Sequence, residues 1–443
     1  MAVEMLKQVD LKALESELSE AGETREASPE DPARLSLRGI VPGLTCRPST
    51  PEALGAALAA CDRAGGAVVP WGGGTQQRLG SPPERADVAL FTTDLNHVVE
   101  YEPADLTVTV EAGMRLADLQ AALAKNGQWL PIDPQIAPGA TLGGLVATNV
   151  NGPRRIRYGG LRDLVIGTKV AGPDGKITKA GGHVVKNVTG YDLNKAHIGA
   201  LGTLGVLVEL SLKIAPRPEV ETTWFGVFAS AAAASKARDL LLRMPVPPAA
   251  VELLNQRAAR AAGLSLVPGQ WALLCVAAGF PEQVQRYLAE FEAAAEANAA
   301  ASSQPLAERA SSDAWRTYEA TMVDLRWSGE TLTCRAAVPL AQCGNLCDVA
   351  ARLGDEPVVW SHAHGAVFWS VSGEAEDQAT MVTELRRAAE AVEGGLVVEN
   401  WPDSLGGVDV WGKTGGPLEI MKAVKSQFDP RGTLNPGRYV GTI

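Results

Sequence analysis

Apolar residues fall along this chain in short clustered or alternating runs, many of them broken by glycine. The organising run is Val68-Val69-Pro70-Trp71, a β-rich stretch that ends in Gly72-Gly73-Gly74 and then Thr75-Gln76-Gln77. Upstream, Thr50-Pro51-Glu52 opens a helix with a capping side chain and a proline at the first helical position, and Gly65-Gly66 closes it after Ala64. Strands are expected at 88–92 and 106–111, then a helix over 116–125. A second glycine-rich loop, 137–147, carries Pro138, Gly139, Thr141, Gly143 and Gly144 into an apolar helical turn, with Asn149 and Gly152 beyond it. Runs 165–171 and 176–180 form a hairpin around Gly172-Pro173-Asp174-Gly175. A third loop, 199–206, holds Gly202, Thr203, Gly205 and Val206 and leads into a strand over 206–215, which Pro216 and Pro218 punctuate.

The later half has a different texture. Strand-like runs at 222–228, 251–254, 271–277, 332–338, 357–362, 366–372 and 396–400 alternate with helical patterns at 231–243, 282–299, 340–353 and 377–393. That order predicts an antiparallel sheet covered by helices, an α+β cap domain. The Ala/Glu-rich run 289–303 is expected to be a surface helix and loop. At the other end, Leu6, Leu11, Leu14 and Leu18 recur at helical spacing in an acidic stretch, expected to be a short helix followed by a proline-containing linker. A helix over 418–426 precedes a tail, 428–438, dense in proline and glycine, which reads as a rigid loop docked on the body. The expected divisions are an acidic extension at 1–35, a glycine-loop domain at 36–218, the cap at 219–410 and a returning segment at 411–443.

Composition narrows the function. A chain of 443 residues accommodates two or three domains. The formal charge of −11 argues against nucleic acid or an anionic membrane as partner, because both reward lysine and arginine. No run of about 20 apolar residues is present to span a bilayer, and the start lacks a basic region followed by an apolar core. The expectation is a cytoplasmic protein whose membrane contact, if any, comes through a partner. Cys46, Cys61, Cys275, Cys334, Cys343 and Cys347 are scattered and do not match zinc or iron–sulfur spacing, so they are expected to be buried thiols. The chain therefore carries no iron–sulfur relay of its own.

The glycine loops offer the chemistry. Successive residues without Cβ allow positive φ and close approach to a ligand, and consecutive amides in such a turn converge on an anion. The start of the helical turn after Gly143-Gly144 is expected to present free amides to a phosphate as well. A Walker A loop would need a lysine where Gly74 is followed by Thr75-Gln76. A dinucleotide fingerprint would need a third glycine at Gln77 and a crossover helix after it. What remains is a diphosphate held by backbone amides from several loops. Arg154, Arg155 and Arg157 read most simply as a solvated loop, with contact to an anionic cofactor or substrate as the alternative.

This order of loops, over about 40–217 plus 428–438, resembles the FAD-binding domain of the vanillyl-alcohol oxidase and p-cresol methylhydroxylase class. The resemblance implies an α+β protein with a two-lobed FAD-binding domain of that type and an α+β cap with an antiparallel sheet. It implies that the loop Trp71, Gly72, Gly73, Gly74, Thr75, Gln76, Gln77 binds the pyrophosphate. It also places Pro138, Gly139, Thr141, Gly143, Gly144, Asn149 and Gly152 on the other side of FAD, and Gly202, Thr203, Gly205 and Val206 toward its flavin end. No His or Cys stands in Trp71–Gln77, which implies non-covalent FAD. Within the class the chain is most similar to the FAD-binding E subunits of bacterial glycolate oxidases. The supporting stretches are the Trp-Gly-Gly-Gly-Thr loop, Val188-Thr189-Gly190-Tyr191-Asp192-Leu193, Cys334-Arg335-Ala336-Ala337-Val338-Pro339 and the tail. Partners implied are a homologous flavoprotein subunit and an iron–sulfur subunit, with electrons passing to membrane quinone.

Oxidising a small 2-hydroxy acid with flavin needs the α-carbon beside the flavin, a carboxylate clamp and a group for the hydroxyl proton. Arg335, in a cap strand, and Arg326, beside Trp327, are the candidates for the clamp, since the guanidinium fork matches a carboxylate. Each reads more simply as an ordinary cap-surface or sheet residue. His362 and His364, two apart, would share one side of a strand and could offer a base or a metal ligand, although no metal site is assigned. Related 2-hydroxy-acid dehydrogenases carry Gly-Asp-Gly-Asn near a metal-associated histidine, whereas here Gly365-Ala366-Val367-Phe368 follows. His97, His183 and His197 are expected to be structural or supporting. The alternative to a catalytic subunit is a flavoprotein-fold electron-transfer or assembly module with no substrate chemistry of its own.

Overall fold

A computed structural model describes residues 9–28, 35–182, 192–306 and 308–443. Leu6, His183 and residues 188–191 of the sequence expectations lie outside the described residues. Strands β1 (Gly22–Glu26), β2 (Leu44–Pro48), β3 (Val68–Trp71) and β4 (Val88–Phe91) form a small sheet in the order β1-β2-β4-β3. β4 runs parallel to both β2 and β3, and β1 is antiparallel at the edge. The next strands are β5 (Val98–Glu102), β6 (Thr107–Glu111), β7 (Gln128–Trp129), β8 (Val165–Ala171), β9 (Ile177–Gly181), β10 (Val206–Lys213) and β11 (Ala215–Pro216). They make a five-stranded antiparallel sheet, β5-β6-β10-β8-β9, and a ribbon of β7 with β11.

Local chemistry explains the helix ends. Thr50 accepts the Ala53 amide at 3.1 Å to start Pro51–Ala64, and Gly65 ends it at φ 71°. Asp10 caps Leu11–Ala21 in the same way. That first helix buries Leu14 and Leu18 against Leu54 and Leu58, which contributes about 1.5–3 kcal/mol per leucine. The proline-containing linker expected directly after the helix is replaced over 22–26 by β1, whose Gly22 pairs with Pro48. Residues 9–26 are thus part of the first sheet and its cover.

The cap is one antiparallel sheet of eight strands, β12 (Val220–Phe228), β13 (Ala250–Asn255), β14 (Trp271–Gly279), β15 (Ser302–Pro305), β16 (Leu332–Ala337), β17 (Val358–His362), β18 (Ala366–Val371) and β19 (Gly395–Asn400). Their order is β15-β12-β14-β13-β17-β18-β16-β19. Along β14, Trp271, Leu273, Cys275 and Ala277 pack with helices Ala231–Leu241 and Pro281–Ala297, while Ala272, Leu274, Val276 and Ala278 pack with Gln256–Ala261 and Glu308–Trp327. Covering on both faces is why these strands read as unbroken apolar runs. Helix Glu308–Trp327 was not anticipated from sequence: it is polar and serine-containing at its start, yet it delivers Tyr318 and Arg326. The expected surface loop before it contains β15.

The tail returns to the first sheet. Val68 donates to the Thr433 carbonyl at 2.7 Å and the Asn435 amide donates to the Val68 carbonyl at 2.9 Å, so the tail lies alongside β3. Lys425 fixes the turn, donating to the carbonyls of Thr203 and Leu434 and to Asp429 at 2.6–2.8 Å. All six cysteines are buried and unpaired. Among the described residues no helix is long and apolar enough to cross a membrane.

Candidate active site

β3 ends at Trp71, and the chain turns at once through Gly72-Gly73-Gly74. The second glycine loop packs against this turn backbone to backbone. A Cβ on Gly73 would stand 1.9 Å from the Gly139 carbonyl oxygen, and Gly74 adopts φ 71°. Only glycine fits both demands. Among the described residues the amides of Gly72, Gly73, Gly74 and Thr75 donate to no protein carbonyl, and all four residues line one cavity, which leaves these amides available to an anion as a nest. The helix Leu142–Thr148 behaves differently from expectation. Its opening amides are already taken: Leu142 donates to Met114, Gly143 to Ala112 and Gly144 to the Thr141 hydroxyl. That start shapes the wall and leaves no free amides for a phosphate.

A first cavity of about 800 Å³ opens over the nest. Trp71, Gly72, Gly73, Gly74, Thr75, Gln76, Gln77, Thr141, Gly143, Gly144, Gly202, Gly205 and Val206 line it, together with His197, expected to be structural or supporting, and with Thr148, Asn435 and Arg438, which sequence reasoning left out. Pro138, Gly139, Gly152 and Thr203 stand outside it. The Gly139 carbonyl braces Gly73, Gly152 lies against Asp133, and the Thr203 hydroxyl is spent on the Ala200 carbonyl at 2.7 Å. Arg438 closes the loop from the tail, donating to Gln77 Oε1 at 3.1 Å and to the Gln77 carbonyl at 2.9 Å. Gln76 Nε2, His197 Nδ1, Asn435 Oδ1 and Arg438 Nε are buried here without partners. Burial lowers the His197 pKa to about 4, so its imidazole is neutral. Unpaired amides and orphaned polar atoms around one elongated cleft fit a diphosphate-bearing cofactor.

Leu79, Thr148 and Leu201 are shared with a second cavity of about 890 Å³, between the glycine-loop sheets and the cap. Asn149, Asn151 and Arg155 form one wall; Arg326, Arg335, His364 and Glu399 form the cap wall, with Trp411 and Tyr439 alongside. Arg326 is buried, Arg335 is a partly exposed strand residue, and one carboxylate joins them. Glu399, on β19, takes Arg326 Nε at 2.7 Å and Nη2 at 2.9 Å, and Arg335 Nε at 2.7 Å. Burial alone would raise the Glu399 carboxyl, but the two guanidinium groups outweigh it and hold it below its usual range. Arg326 Nη1, His364 Nε2 and Trp411 Nε1 are buried without partners.

The two histidines part company. His362 ends β17, is fully buried and bonds Glu252 through Nδ1 at 2.7 Å; it does not line the cavity. His364 sits in the following turn, with ring centres 5.3 Å apart, and does line it. They are therefore no same-side pair on a strand, and among the described residues no group of three metal-ligating side chains forms. Burial pushes the His362 pKa to about 3 and, with His362 and Arg155 nearby, that of His364 to about 2. Behind them, Tyr318 donates to Glu252, Gln135 donates to Tyr318 at 3.3 Å, and Trp360 donates to Gln135 at 3.1 Å. The basic patch is also mostly engaged rather than solvated. Arg154 is buried on Glu221 at 2.6 Å with Asp133 behind it, and Arg157 donates to the Ala278 carbonyl.

Fold and site together define a flavin-dependent oxidoreductase. Residues 42–181 match the family described as FAD binding domain, and 217–370 with 412–439 match FAD linked oxidases, C-terminal domain. The chain belongs to this FAD-linked oxidase family, with a p-cresol-methylhydroxylase-type FAD-binding domain. Glycolate oxidase subunit GlcD of Bacillus subtilis is 28% identical over 422 residues, covering 90% of this chain and 89% of that protein. Glycolate oxidase subunit GlcE of Escherichia coli is 45% identical over 122 residues, covering 27% of this chain and 35% of that one. The fold is that of p-cresol methylhydroxylase, with a TM-score of 0.77 at 17% identity over 96% of both chains. The cofactor is FAD, and the glycine loop Trp71–Gln77 holds no His or Cys to tether it.

Proposed function

We propose that this chain is the E-type FAD-binding subunit of a glycolate oxidase-like complex, oxidising a small 2-hydroxy acid to the 2-oxo acid and passing the electrons to a partner. One observation carries the reading: Arg326 Nη1 and His364 Nε2 are buried and unpartnered in a cavity that adjoins the glycine nest. The Gly72–Thr75 amides, with Gln76, Asn435 and Arg438, hold FAD in the first cavity. When bound there, FAD supplies the two-electron acceptor for the hydrogen that leaves the α-carbon as hydride.

The chain's own residues do the rest. Arg326 and Arg335 clamp the substrate carboxylate, and Glu399 fixes the direction of both forks. His364 accepts the hydroxyl proton at Nε2. In the free site its imidazole is a weak base, held down by burial and neighbouring positive charge. A carboxylate seated between the arginines offsets part of that field and strengthens the base as the substrate arrives. The GlcD and GlcE relatives are named as glycolate oxidase subunits, which supports a multi-subunit setting. In this reading the partners are a homologous flavoprotein and an iron–sulfur protein, and any membrane contact is made through them.

A second reading is an electron-transfer or assembly subunit without substrate chemistry. The weak basicity of His364 and the sequence Gly365-Ala366-Val367-Phe368 after it favour that reading. Anaerobic mixing of the FAD-loaded chain with glycolate or D-lactate decides. Bleaching of the flavin by the chain alone supports the first reading; bleaching only when partner subunits are added supports the second.

A further inference from the structure

Three neighbouring arginines differ in what they do. Arg154 is bound to Glu221 and Asp133, and Arg157 to the Ala278 carbonyl. The Arg155 guanidinium makes no hydrogen bond or ion pair with any described residue, although it borders the second cavity. Across from it, Arg326 and Arg335 share the single carboxylate of Glu399. Three guanidinium groups and one carboxylate line this space, an excess of two positive charges over negative ones. One substrate carboxylate matches one of them. The other is left on the wall opposite the clamp, close enough to His364 to depress its basicity.

Resting on the 2-hydroxy-acid reading above, we propose that the substrate carries a second carboxylate, a 2-hydroxy dicarboxylic acid, and that Arg155 is the residue that receives it. Arg326 and Arg335 hold the carboxylate next to the hydroxyl-bearing carbon. Arg155, on the helix Arg155–Tyr158 of the opposite wall, takes the distal one. The guanidinium fork can bind it with paired hydrogen bonds, and the partial exposure of the site keeps the gain moderate. Arg155 is then a specificity residue, because it touches the part of the substrate that does not react.

The test uses the FAD-loaded chain with pairs of equal length: 2-hydroxybutyrate against malate, and 2-hydroxyvalerate against 2-hydroxyglutarate, each as both enantiomers. Affinity is read from the perturbation of the flavin spectrum, and reduction from anaerobic bleaching. The dicarboxylate of at least one pair is expected to bind about tenfold or more tightly than its monocarboxylate, equivalent to about 1.4 kcal/mol. R155Q should shrink that ratio below about threefold, and R155K should recover part of it. Equal affinities in the wild type, or a ratio that survives R155Q, overturns the proposal. So does an R155Q effect that is the same for both members of each pair, which would assign the charge to the flavin instead. In those cases bleaching by both classes leaves the 2-hydroxy-acid reading standing, whereas failure of every acid to bind or bleach overturns that reading itself.

Discussion

Glu399 grips Arg326 with both carboxylate oxygens, at 2.7 and 2.9 Å, while one of the same oxygens takes Arg335 Nε at 2.7 Å. Both guanidinium groups are thereby aimed from two different elements into one cavity. E399Q should cost about 3–5 kcal/mol of stability, because removing one charge strands a buried cation. The depressed Glu399 pKa also fixes a sign: its contribution is present above the carboxyl's unfolded value and is lost as pH falls through the lower folded value. Urea unfolding of wild type and E399Q at pH 7 and pH 3.5 measures this, and the gap should narrow at the lower pH.

Gly73 meets the Gly139 carbonyl so closely that a methyl group would lie 1.9 Å from its oxygen. G73A should force the two loops apart and spread the amide nest. Purified G73A is expected to carry less than about a tenth of the wild-type flavin, with near-unchanged far-ultraviolet circular dichroism. The ratio of flavin to protein absorbance checks it.

His364 reaches the second cavity with an unpartnered Nε2. H364Q should slow anaerobic flavin reduction by about 10²–10⁴, the usual worth of a positioned base. Flavin content and the oxidised spectrum should not move. Stopped-flow reduction with saturating substrate separates this loss from any loss of binding.

His197 has a folded pKa lowered to about 4 by burial, against an ordinary value near 6.5. The unfolded chain takes up its proton first, so this group's contribution falls as pH drops below about 6.5 and levels off below the folded value. H197N removes that dependence. Between pH 7 and 4.5 the apoprotein should lose about 2 kcal/mol more in the wild type than in H197N, read from urea midpoints.

The nest and the sheet pattern were legible because their signals are local. Three successive glycines after Trp71 state a backbone requirement in adjacent residues, and apolar runs such as 271–277 state burial on both faces. The cluster of Arg326, Arg335 and Glu399 was half legible. Arg326 and Arg335 suggested themselves by chemistry, but their common anchor Glu399 lies 73 and 64 residues away, and only the fold brings the three together. A lone glutamate inside the apolar strand Gly395–Asn400 was the available signal. His197, at the end of the short helix Asn194–His197, and Asn435 and Arg438, both in the tail, escaped notice as site residues because the local pattern of neither segment names a ligand. Tyr318 escaped because its helix begins in polar residues, although Trp315, Tyr318, Met322 and Leu325 recur at helical spacing and pack into the cap core.

The central claim is that the two cavities form one site, with flavin in the first and a carboxylate on Arg326 and Arg335 in the second. Oxalate binds as a carboxylate and offers no hydrogen to remove, so it reports position without chemistry. Titrated into the oxidised FAD-loaded chain, it should perturb the flavin absorbance saturably, and R335M should weaken that response at least about tenfold. A flavin spectrum indifferent to oxalate at saturating concentration, or a response that R335M leaves intact, would contradict the account.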